Sequence, residues 1–229
     1  MNAPHAFHRA VEDVDMITSP KLVAFDVDGT LLRDETVCEC LARGIGKSQE
    51  MREFERLTSL PEIWAARRTM TAWYQSFAGA DRQVLLAHLD TVQLAPGARA
   101  GIRRLQDRGI KIAFVSISWK FAVERLAREL GAGFFVGTDW LETGDIIDFW
   151  PIDKPIWLLD LLDKLSIDPH DVIAVGDSSG DIPMLKVVGR GYYVGATMPE
   201  NLPHIRHWPF ADIDELVEDM IGAPTWVAC

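Results

Sequence analysis

The chain has 229 residues, of which 48% are hydrophobic and 25% are charged, a composition typical of globular proteins that bury a core. Its 34 acidic residues outnumber the 23 basic ones, and no basic cluster is large enough to follow a phosphate backbone, so we expect no nucleic-acid partner. The apolar runs are far shorter than the roughly 20 residues that span a bilayer, so we expect no membrane partner either.

The N-terminal segment, residues 1–20, mixes histidines and acidic residues and lacks the apolar stretch of an export signal. We therefore predict a flexible tail there. The chain has three cysteines, Cys38, Cys40 and Cys229. An odd number of cysteines without an export signal indicates reduced thiols, which predicts a cytoplasmic location.

The first predicted element is a short apolar strand at residues 22–25, which leads directly into Asp26 and Asp28. Side chains alternate along a strand, so these two carboxylates start on the same side of the chain. Their repulsion has to be offset by a cation or by a shared proton. Taken alone, the stretch could also be a solvated, Asp-rich turn. The chemical interpretation therefore depends on the rest of the chain.

Residues 34–94 contain helical periodicity and no convincing strand. Breaks at Gly44, Gly46, Pro61 and Gly79 divide this segment into four predicted helices, at residues 36–43, 47–57, 61–77 and 81–92. Strict alternation of strands and helices begins only after the turn predicted at Pro96 and Gly97. The segment is therefore predicted to be a helical insert.

From residue 95 onward, apolar strands alternate with helices. We predict helices at 98–107, 119–130, 155–165, 182–188 and 212–221, strands at 110–115, 134–137, 171–175 and 192–194, and a small hairpin within 140–149. Ser118 is the predicted N-cap of the second of these helices, and Gly131 its stop. This pattern predicts an α/β fold with a doubly wound, mostly parallel, Rossmann-like sheet.

The carboxyl ends of parallel strands meet at one edge of such a sheet, and that edge carries the site. The predicted strands place Asp26, Asp28, Ser116 and Asp177 there. The helical insert is then expected to be a cap over the crevice. We predict a core domain formed by residues 21–33 and 95–229, and a cap domain formed by residues 34–94.

Four short motifs occur in order along these strand ends. They are DVDGT at residues 26–30, FVS at residues 114–116, Lys154, and GDSSGD at residues 176–181. Together they resemble the motifs of the haloacid dehalogenase superfamily, and the resemblance covers nearly the whole chain from residue 21. It implies a phosphoryl-transfer enzyme with this fold, an inserted cap and a small phosphorylated metabolite as substrate.

The resemblance also implies a role for each motif residue. Asp26 would be the nucleophile that forms an aspartyl-phosphate, and Asp28 the general acid and base. Ser116 and Lys154 would complete the catalytic set by binding phosphate oxygens. Mg²⁺ would be held by Asp26, by the backbone carbonyl of Asp28 and by Asp177, because hard oxygen ligands favour that ion. Asp181 would lie in the outer shell of the metal or orient Lys154.

Within the superfamily, the position of the cap and the spacing of the motifs are most similar to the phosphoserine phosphatase branch. In that branch a glutamate after the first motif binds the ammonium group of the substrate, which corresponds to Glu35. A cap arginine would hold the substrate carboxylate, and Arg68 or Arg67 could take that role. The chain departs from the branch pattern at residues 116–118, which read SIS instead of SGG, and at Gly180, where the branch has asparagine. Glu35 could equally be an exposed acid in the first turn of a cap helix.

These features predict an Mg²⁺-dependent phosphatase that hydrolyses a small phosphomonoester, with phosphoserine or a similar compound as substrate. A phosphotransferase of the same family is the first alternative. The second, from a different class, is a non-catalytic switch that carries a phosphorylated aspartate. The sequence does not indicate the oligomeric state.

Overall fold

A computed structural model of the chain describes residues 19–79, 81–199, 202 and 204–222. The strands of this part are Leu22–Phe25 (β1), Lys111–Trp119 (β2), Phe134–Trp140 (β3), Ile146–Ile147 (β4), Val172–Gly176 (β5), Arg190–Tyr193 (β6) and Ile205–His207 (β7). They form one sheet in the order β4-β3-β2-β1-β5-β6-β7, in which the β3–β4 pair is antiparallel and the other pairs are parallel. The predicted α/β, mostly parallel, Rossmann-like sheet is confirmed.

The helices lie between these strands. They are Val37–Gly44 (α1), Ser48–Phe54 (α2), Leu60–Ala78 (α3), Arg82–Leu86 (α4), Ala98–Asp107 (α5), Lys120–Leu130 (α6), Asp153–Leu165 (α7), Ile182–Leu185 (α8) and Ile213–Ile221 (α9), with short 3-10 turns at Ala87–Thr91 and Pro169–Asp171. Within the described residues, we find no helix with the length and apolarity that a membrane crossing requires. The tail prediction falls almost wholly outside those residues, and Cys229 lies outside them too.

Both faces of the sheet are covered, which explains why its central strands are continuous apolar runs. In β1, Val23 and Phe25 face one hydrophobic cluster, and Leu22 and Ala24 face another. All four residues are fully buried. The first cluster contains residues of α5, α6 and α9, and the second contains residues of α7 and α8. The sheet is therefore doubly wound, as the sequence predicted.

Helices α1 to α4 are inserted between β1 and α5, and the described part of this segment contains no named strand. The insert shares its hydrophobic cluster with the core. Tyr74 of α3 is fully buried, and its ring meets that of Trp119 edge-on at a centroid distance of 6.1 Å. The insert is therefore packed continuously with the sheet. The domain boundary at residues 34 and 94 stays a prediction.

The largest difference from the sequence prediction concerns the end of β2, which continues to Trp119 instead of ending at Val115. The register with β3 shifts between Val115 and Trp119: Val115 pairs with Val136, and Trp119 pairs with Thr138. The extra residues bulge out of the ladder at the carboxyl end of the strand. Ser118 lies in this bulge and does not cap α6, so the N-cap prediction is wrong.

Two smaller elements also differ. Strand β7 was not predicted, because it is only three residues long and contains Arg206 and His207. Helix α8 ends at Leu185, three residues earlier than expected. The hairpin predicted within 140–149 is present as the β3–β4 pair. Gly131 ends α6 at a φ of 78°, as predicted.

The Asp212 carboxylate is the N-cap of α9, where it accepts hydrogen bonds from the backbone N–H groups of Asp214 and Glu215. We expect Asp212→Ala to lower the free energy of unfolding by about 1 kcal/mol, because these donors lose their acceptor. Asn caps helices as well as Asp does, so Asp212→Asn is the matched control and should stay close to the parent. Urea denaturation measures both variants, and equal stability of all three proteins would contradict the assignment.

Candidate active site

The nucleophile predicted from the sequence, Asp26, follows β1 directly. Its backbone N–H donates to the Val175 carbonyl at 2.9 Å, so the ladder with β5 extends to this residue. The side chain is buried, with 5% of its surface exposed. Burial, together with the charge of the Asp181 carboxylate, raises the pKa of Asp26 well above its ordinary value. The site therefore holds a carboxylate that is costly to ionise without a compensating cation.

Lys154 supplies one positive charge. It lies in the first turn of α7, and its ammonium donates to Asp26 Oδ1 at 2.7 Å and to Asp181 Oδ1 at 2.5 Å. Burial alone would lower the pKa of Lys154, but the carboxylates of Asp26 and Asp181 raise it above its ordinary value. An ammonium has three N–H groups, so one is left for a ligand.

Asp181 forms several hydrogen bonds that hold the loop between β5 and α8 in place. It is fully buried, and its second oxygen, Oδ2, accepts from the backbone N–H groups of Asp177 and Ser178 and from the Ser178 hydroxyl. Both oxygens are therefore occupied by protein donors. A Cβ on Gly176 would lie 2.4 Å from the Asp181 Cβ, so the loop can fold this tightly only with glycine there.

Asp177 approaches the first motif from across the crevice. Its Oδ1 accepts from the Thr30 hydroxyl at 3.2 Å. Gly29 has a φ of 81°, and a Cβ at this position would lie 2.1 Å from Asp177 Oδ2. Burial and the Asp181 carboxylate raise the pKa of Asp177 to about 6. The glycine thus allows two acidic motifs to come together.

Asp26, Asp177 and Asp181 each offer an oxygen, and these three oxygens lie within 4.8 Å of one another. Clustered carboxylates of this kind suit Mg²⁺, which prefers oxygen ligands. Both oxygens of Asp181 accept from Lys154 or the loop donors, whereas the hydrogen bonds to Asp26 and Asp177 go to one oxygen of each, so these two carboxylates have more capacity for an ion. The residues present therefore fit the predicted ion.

Asp28 is held separately from this cluster. Its Oδ1 accepts from the Val37 backbone N–H at 2.6 Å, at the start of α1, and its Oδ2 accepts from the Ser118 hydroxyl. Burial raises the pKa of Asp28, and these two hydrogen bonds act in the opposite direction. Ser118 was expected to cap a helix, and only the bulge at the end of β2 brings it here. Its contact with Asp28 could not be predicted from the motif spacing.

Ser116 is buried at the same strand end, with 1% of its surface exposed. Its hydroxyl oxygen accepts from the Ser118 backbone N–H at 3.1 Å. The hydroxyl hydrogen is still available to donate to a ligand. Ser116 thus lies where the sequence predicted a phosphate-binding serine.

These residues open into a cavity of about 320 Å³ between the sheet edge and the helical insert. That volume is at the lower end of small-molecule sites, which indicates a small ligand. Asp26, Asp28, Ser116 and Lys154 form its floor, and the insert contributes the opposite wall. A crevice above clustered acids is an arrangement that can bind an anion together with a divalent cation and transfer a group to a carboxylate.

A family model described as haloacid dehalogenase-like hydrolase matches residues 20–189. The chain belongs to this family. A phosphoserine phosphatase from Polaromonas sp. is 30% identical over 185 residues, which cover 74% of this chain and 76% of that protein. Phosphoserine phosphatase SerB2 from Mycobacterium tuberculosis is 31% identical over 80% of this chain and 46% of its own length.

Solved structures agree on the fold. A haloacid dehalogenase family hydrolase from Salmonella enterica serovar Typhi superposes with a TM-score of 0.75 at 22% identity, over 90% of this chain and 73% of that one. A substrate-bound phosphoserine phosphatase complex gives 0.68 at 21% identity, over 87% and 97%. The expected family, its phosphoserine phosphatase-like character and the enzyme class, a phosphoric monoester hydrolase, are thereby confirmed.

The two residues predicted to bind substrate in this haloacid dehalogenase-like hydrolase do not line the cavity. Both oxygens of Glu35 are taken by Arg43, at 2.8 and 2.9 Å, and this hydrogen bonding lowers the pKa of Glu35. Arg68 is exposed and faces a second hollow beside the β3–β4 hairpin. Of the two arginines considered, Arg67 is the one that reaches the cavity. Glu55, which the sequence did not indicate, lines it too.

The acidic cluster should make stability depend on pH in the metal-free hydrolase. A carboxyl group whose pKa rises on folding favours the folded state at low pH, and this contribution is lost as the pH rises. For Asp177 the window runs from its ordinary value of 3.8 to about 6. We expect the free energy of unfolding in EDTA to decrease as the pH rises through that window. In Asp177→Asn this decrease should be smaller. Urea titrations at several pH values measure both.

Addition of Mg²⁺ is the second arm of that experiment. Above pH 6 the ion should raise the Tm of the parent more than that of Asp177→Asn, because a cation offsets the ionised cluster. Asp34→Asn is the matched control, since Asp34 is an exposed acid of the same motif loop outside the cavity. Identical Mg²⁺ responses in the parent and in Asp177→Asn would rule out this metal assignment.

Proposed function

We propose that the chain is an Mg²⁺-dependent phosphatase that releases inorganic phosphate from a small phosphomonoester through an aspartyl-phosphate at Asp26. The observation that carries this proposal is the pairing of Asp26 with Lys154 at the floor of the cavity, with Asp28 separately anchored beside them. The hydrolase family and the helical cap favour an enzyme over a phospho-aspartate switch.

Asp26 and Asp177 are the carboxylates that would hold Mg²⁺, together with the backbone carbonyl of Asp28 that the resemblance implies. The bound ion would neutralise the charge of the phosphate and keep Asp26 ionised. Asp181 would act indirectly, because its oxygens hold Lys154 and the loop after β5. It therefore orients Lys154, which was one of the two roles considered for it.

In the first step, an oxygen of Asp26 attacks phosphorus, and the bond from phosphorus to the leaving oxygen breaks. Asp28 donates its proton to that oxygen, which leaves as an alcohol. In the second step, Asp28 takes a proton from water, whose oxygen attacks phosphorus and releases phosphate from Asp26. Burial raises the pKa of Asp28, which suits a group that has to begin the cycle protonated.

Ser116 and Lys154 would bind the phosphate oxygens. The Ser116 hydroxyl already accepts from Ser118, which leaves its hydrogen for the substrate. Lys154 has one N–H beyond those used by Asp26 and Asp181. The similarity to phosphoserine phosphatases and the volume of the cavity support a substrate of that size class. The cytoplasmic location stays a prediction from the cysteine count.

The direct test is phosphate release from a panel of small phosphomonoesters in the presence of Mg²⁺. We expect Asp26→Asn to lose essentially all turnover, because the amide cannot form the intermediate. Asp28→Asn should lower the rate by about 10² to 10⁴, the usual contribution of general acid–base catalysis. Asp34→Asn is the control and should retain parental activity. Release by Asp26→Asn at the parental rate would contradict the proposal.

Ser118→Ala tests the role of Asp28 through the pH profile. Loss of the hydroxyl donor removes a hydrogen bond that favours the carboxylate, so the pKa of Asp28 should rise further. Cleavage of an alkyl phosphate needs protonated Asp28 to donate to the leaving oxygen. The alkaline limb of the pH profile of kcat/KM for such a substrate should therefore move to higher pH. Ser48→Ala, in α2 and outside the cavity, provides the control. An unshifted limb, or one moved to lower pH, would show that Asp28 is not the acid.

A further inference from the structure

The cap side of the cavity is largely apolar. Its wall is formed by Met51, Phe54, Leu57, Ile63, Ala66 and Met70. Two charged cap residues, Arg67 and Glu55, interrupt this wall. In the proposed function the phosphate occupies the floor of the cavity. The hydrogen bonds and charges that Arg67 and Glu55 have available therefore determine which leaving groups can bind.

Arg67 is already occupied. It is buried, with 7% of its surface exposed, and its guanidinium forms an ion pair with the Asp148 carboxylate of the core. The same group stacks 4.2 Å above the centre of the Trp150 ring, and it reaches the Ile117 carbonyl at 3.5 Å. A guanidinium that is neutralised and stacked in this way has little to offer a substrate carboxylate. The charge of Lys154 is likewise offset by Asp26 and Asp181, and its remaining N–H lies on the floor of the cavity, where the phosphate would use it.

Glu55 is in the opposite situation. It directly follows α2, so its charge lies at the unfavourable, carbonyl end of a helix. The polar contact that the structure gives it is the Thr36 hydroxyl, 3.3 Å from Oε1, and no ion pair reaches it from the described residues. Glu55 is an exposed residue that also lines the cavity, so its carboxylate is reachable both from solvent and from a bound ligand. Desolvation and the neighbouring charges of Glu39 and Asp28 raise the pKa of Glu55. A ligand that brings an ammonium into the cavity would therefore meet a carboxylate that has no ion-pair partner among the described residues.

We propose that the leaving group of the substrate is a small amino alcohol without a carboxylate, whose ammonium is bound by Glu55, and that Asp148 excludes carboxylate-bearing substrates by neutralising Arg67. This inference rests on the proposed phosphatase function and narrows its substrate class. It departs from a phosphoserine substrate, because that compound carries a carboxylate for which the cavity has no unpaired cation among the residues that line it.

Three phosphomonoesters distinguish the contribution of a substrate ammonium from that of a substrate carboxylate. Phosphoethanolamine carries the ammonium alone, phosphoserine adds a carboxylate, and ethyl phosphate has neither. For the parent enzyme with Mg²⁺, we expect kcat/KM for phosphoethanolamine to exceed that for ethyl phosphate by about two- to fivefold, the range of an exposed ion pair, because only phosphoethanolamine brings an ammonium to Glu55. We expect it to exceed that for phosphoserine by about tenfold or more, because the carboxylate of phosphoserine is desolvated in the cavity without an unpaired cation. A value for phosphoserine equal to or above that for phosphoethanolamine would overturn the inference. No phosphate release from any probe, p-nitrophenyl phosphate included, would overturn the phosphatase function itself.

Two variants with matched controls assign the effect to residues. Glu55→Gln should remove most of the preference for phosphoethanolamine over ethyl phosphate, and Glu53→Gln, an acid of α2 that does not line the cavity, should keep it. Asp148→Asn should raise the ratio of kcat/KM for phosphoserine to that for phosphoethanolamine about tenfold, because Arg67 is then free to pair with the substrate carboxylate. Asp145→Asn, on the same hairpin but bonded to Thr143, should leave the ratio unchanged. Because these readouts are ratios within one protein, a loss of folded enzyme does not mimic them. Unchanged ratios in both Glu55→Gln and Asp148→Asn would overturn the assignment.

Discussion

The buried ion-pair cluster of Lys154 with Asp26 and Asp181 is the interaction on which the rest of the site depends. It connects the end of β1, the start of α7 and the loop after β5, three segments that are distant in sequence. Burying such charges is expensive, and removing one partner leaves the others uncompensated. With Asp177 close by, one lysine faces three carboxylates, so the site still carries net negative charge. A divalent cation would offset this negative charge. The same cation would also attract a phosphate, because it can be shared between the carboxylates and the phosphate oxygens.

The α/β core and the helical insert line opposite sides of the cavity. In the proposed function the core supplies the groups that would act on the phosphate, most of them at the carboxyl ends of β1, β2 and β5, with Lys154 in the first turn of α7. The insert would supply the wall that faces the leaving group. Arg67 connects the two parts, because it belongs to α3 and is buried against Asp148 and Trp150 of the core. The shared hydrophobic cluster adds to this connection. If the proposed function holds, changes in the insert would alter the substrate preference without disturbing the floor of the cavity.

Sequence reasoning succeeded where topology alone decides the outcome. Asp26, Asp28 and Asp177 follow strands of one mostly parallel sheet, and Ser116 lies near the carboxyl end of β2, so their convergence required only the strand order. It failed where the result depends on a local irregularity or on the docking of the cap. Ser118 reaches Asp28 because β2 bulges after Val115, which no alternation pattern reveals. The choice between Arg67 and Arg68 depends on the rotation of α3 against the hairpin. Glu35 was placed by motif spacing, but Arg43, two turns along α1, captures it.

The central claim is that Asp26 carries the phosphoryl group during turnover. The most direct measurement is a rapid acid quench of the enzyme during hydrolysis of a phosphomonoester with Mg²⁺, followed by mass spectrometry of its peptides. We expect the mass of one phosphoryl group on the peptide that contains Asp26, located at that residue by fragmentation, and no such species in Asp26→Asn. A phosphoryl group on any other residue, or turnover by Asp26→Asn at the parental rate, would contradict the account.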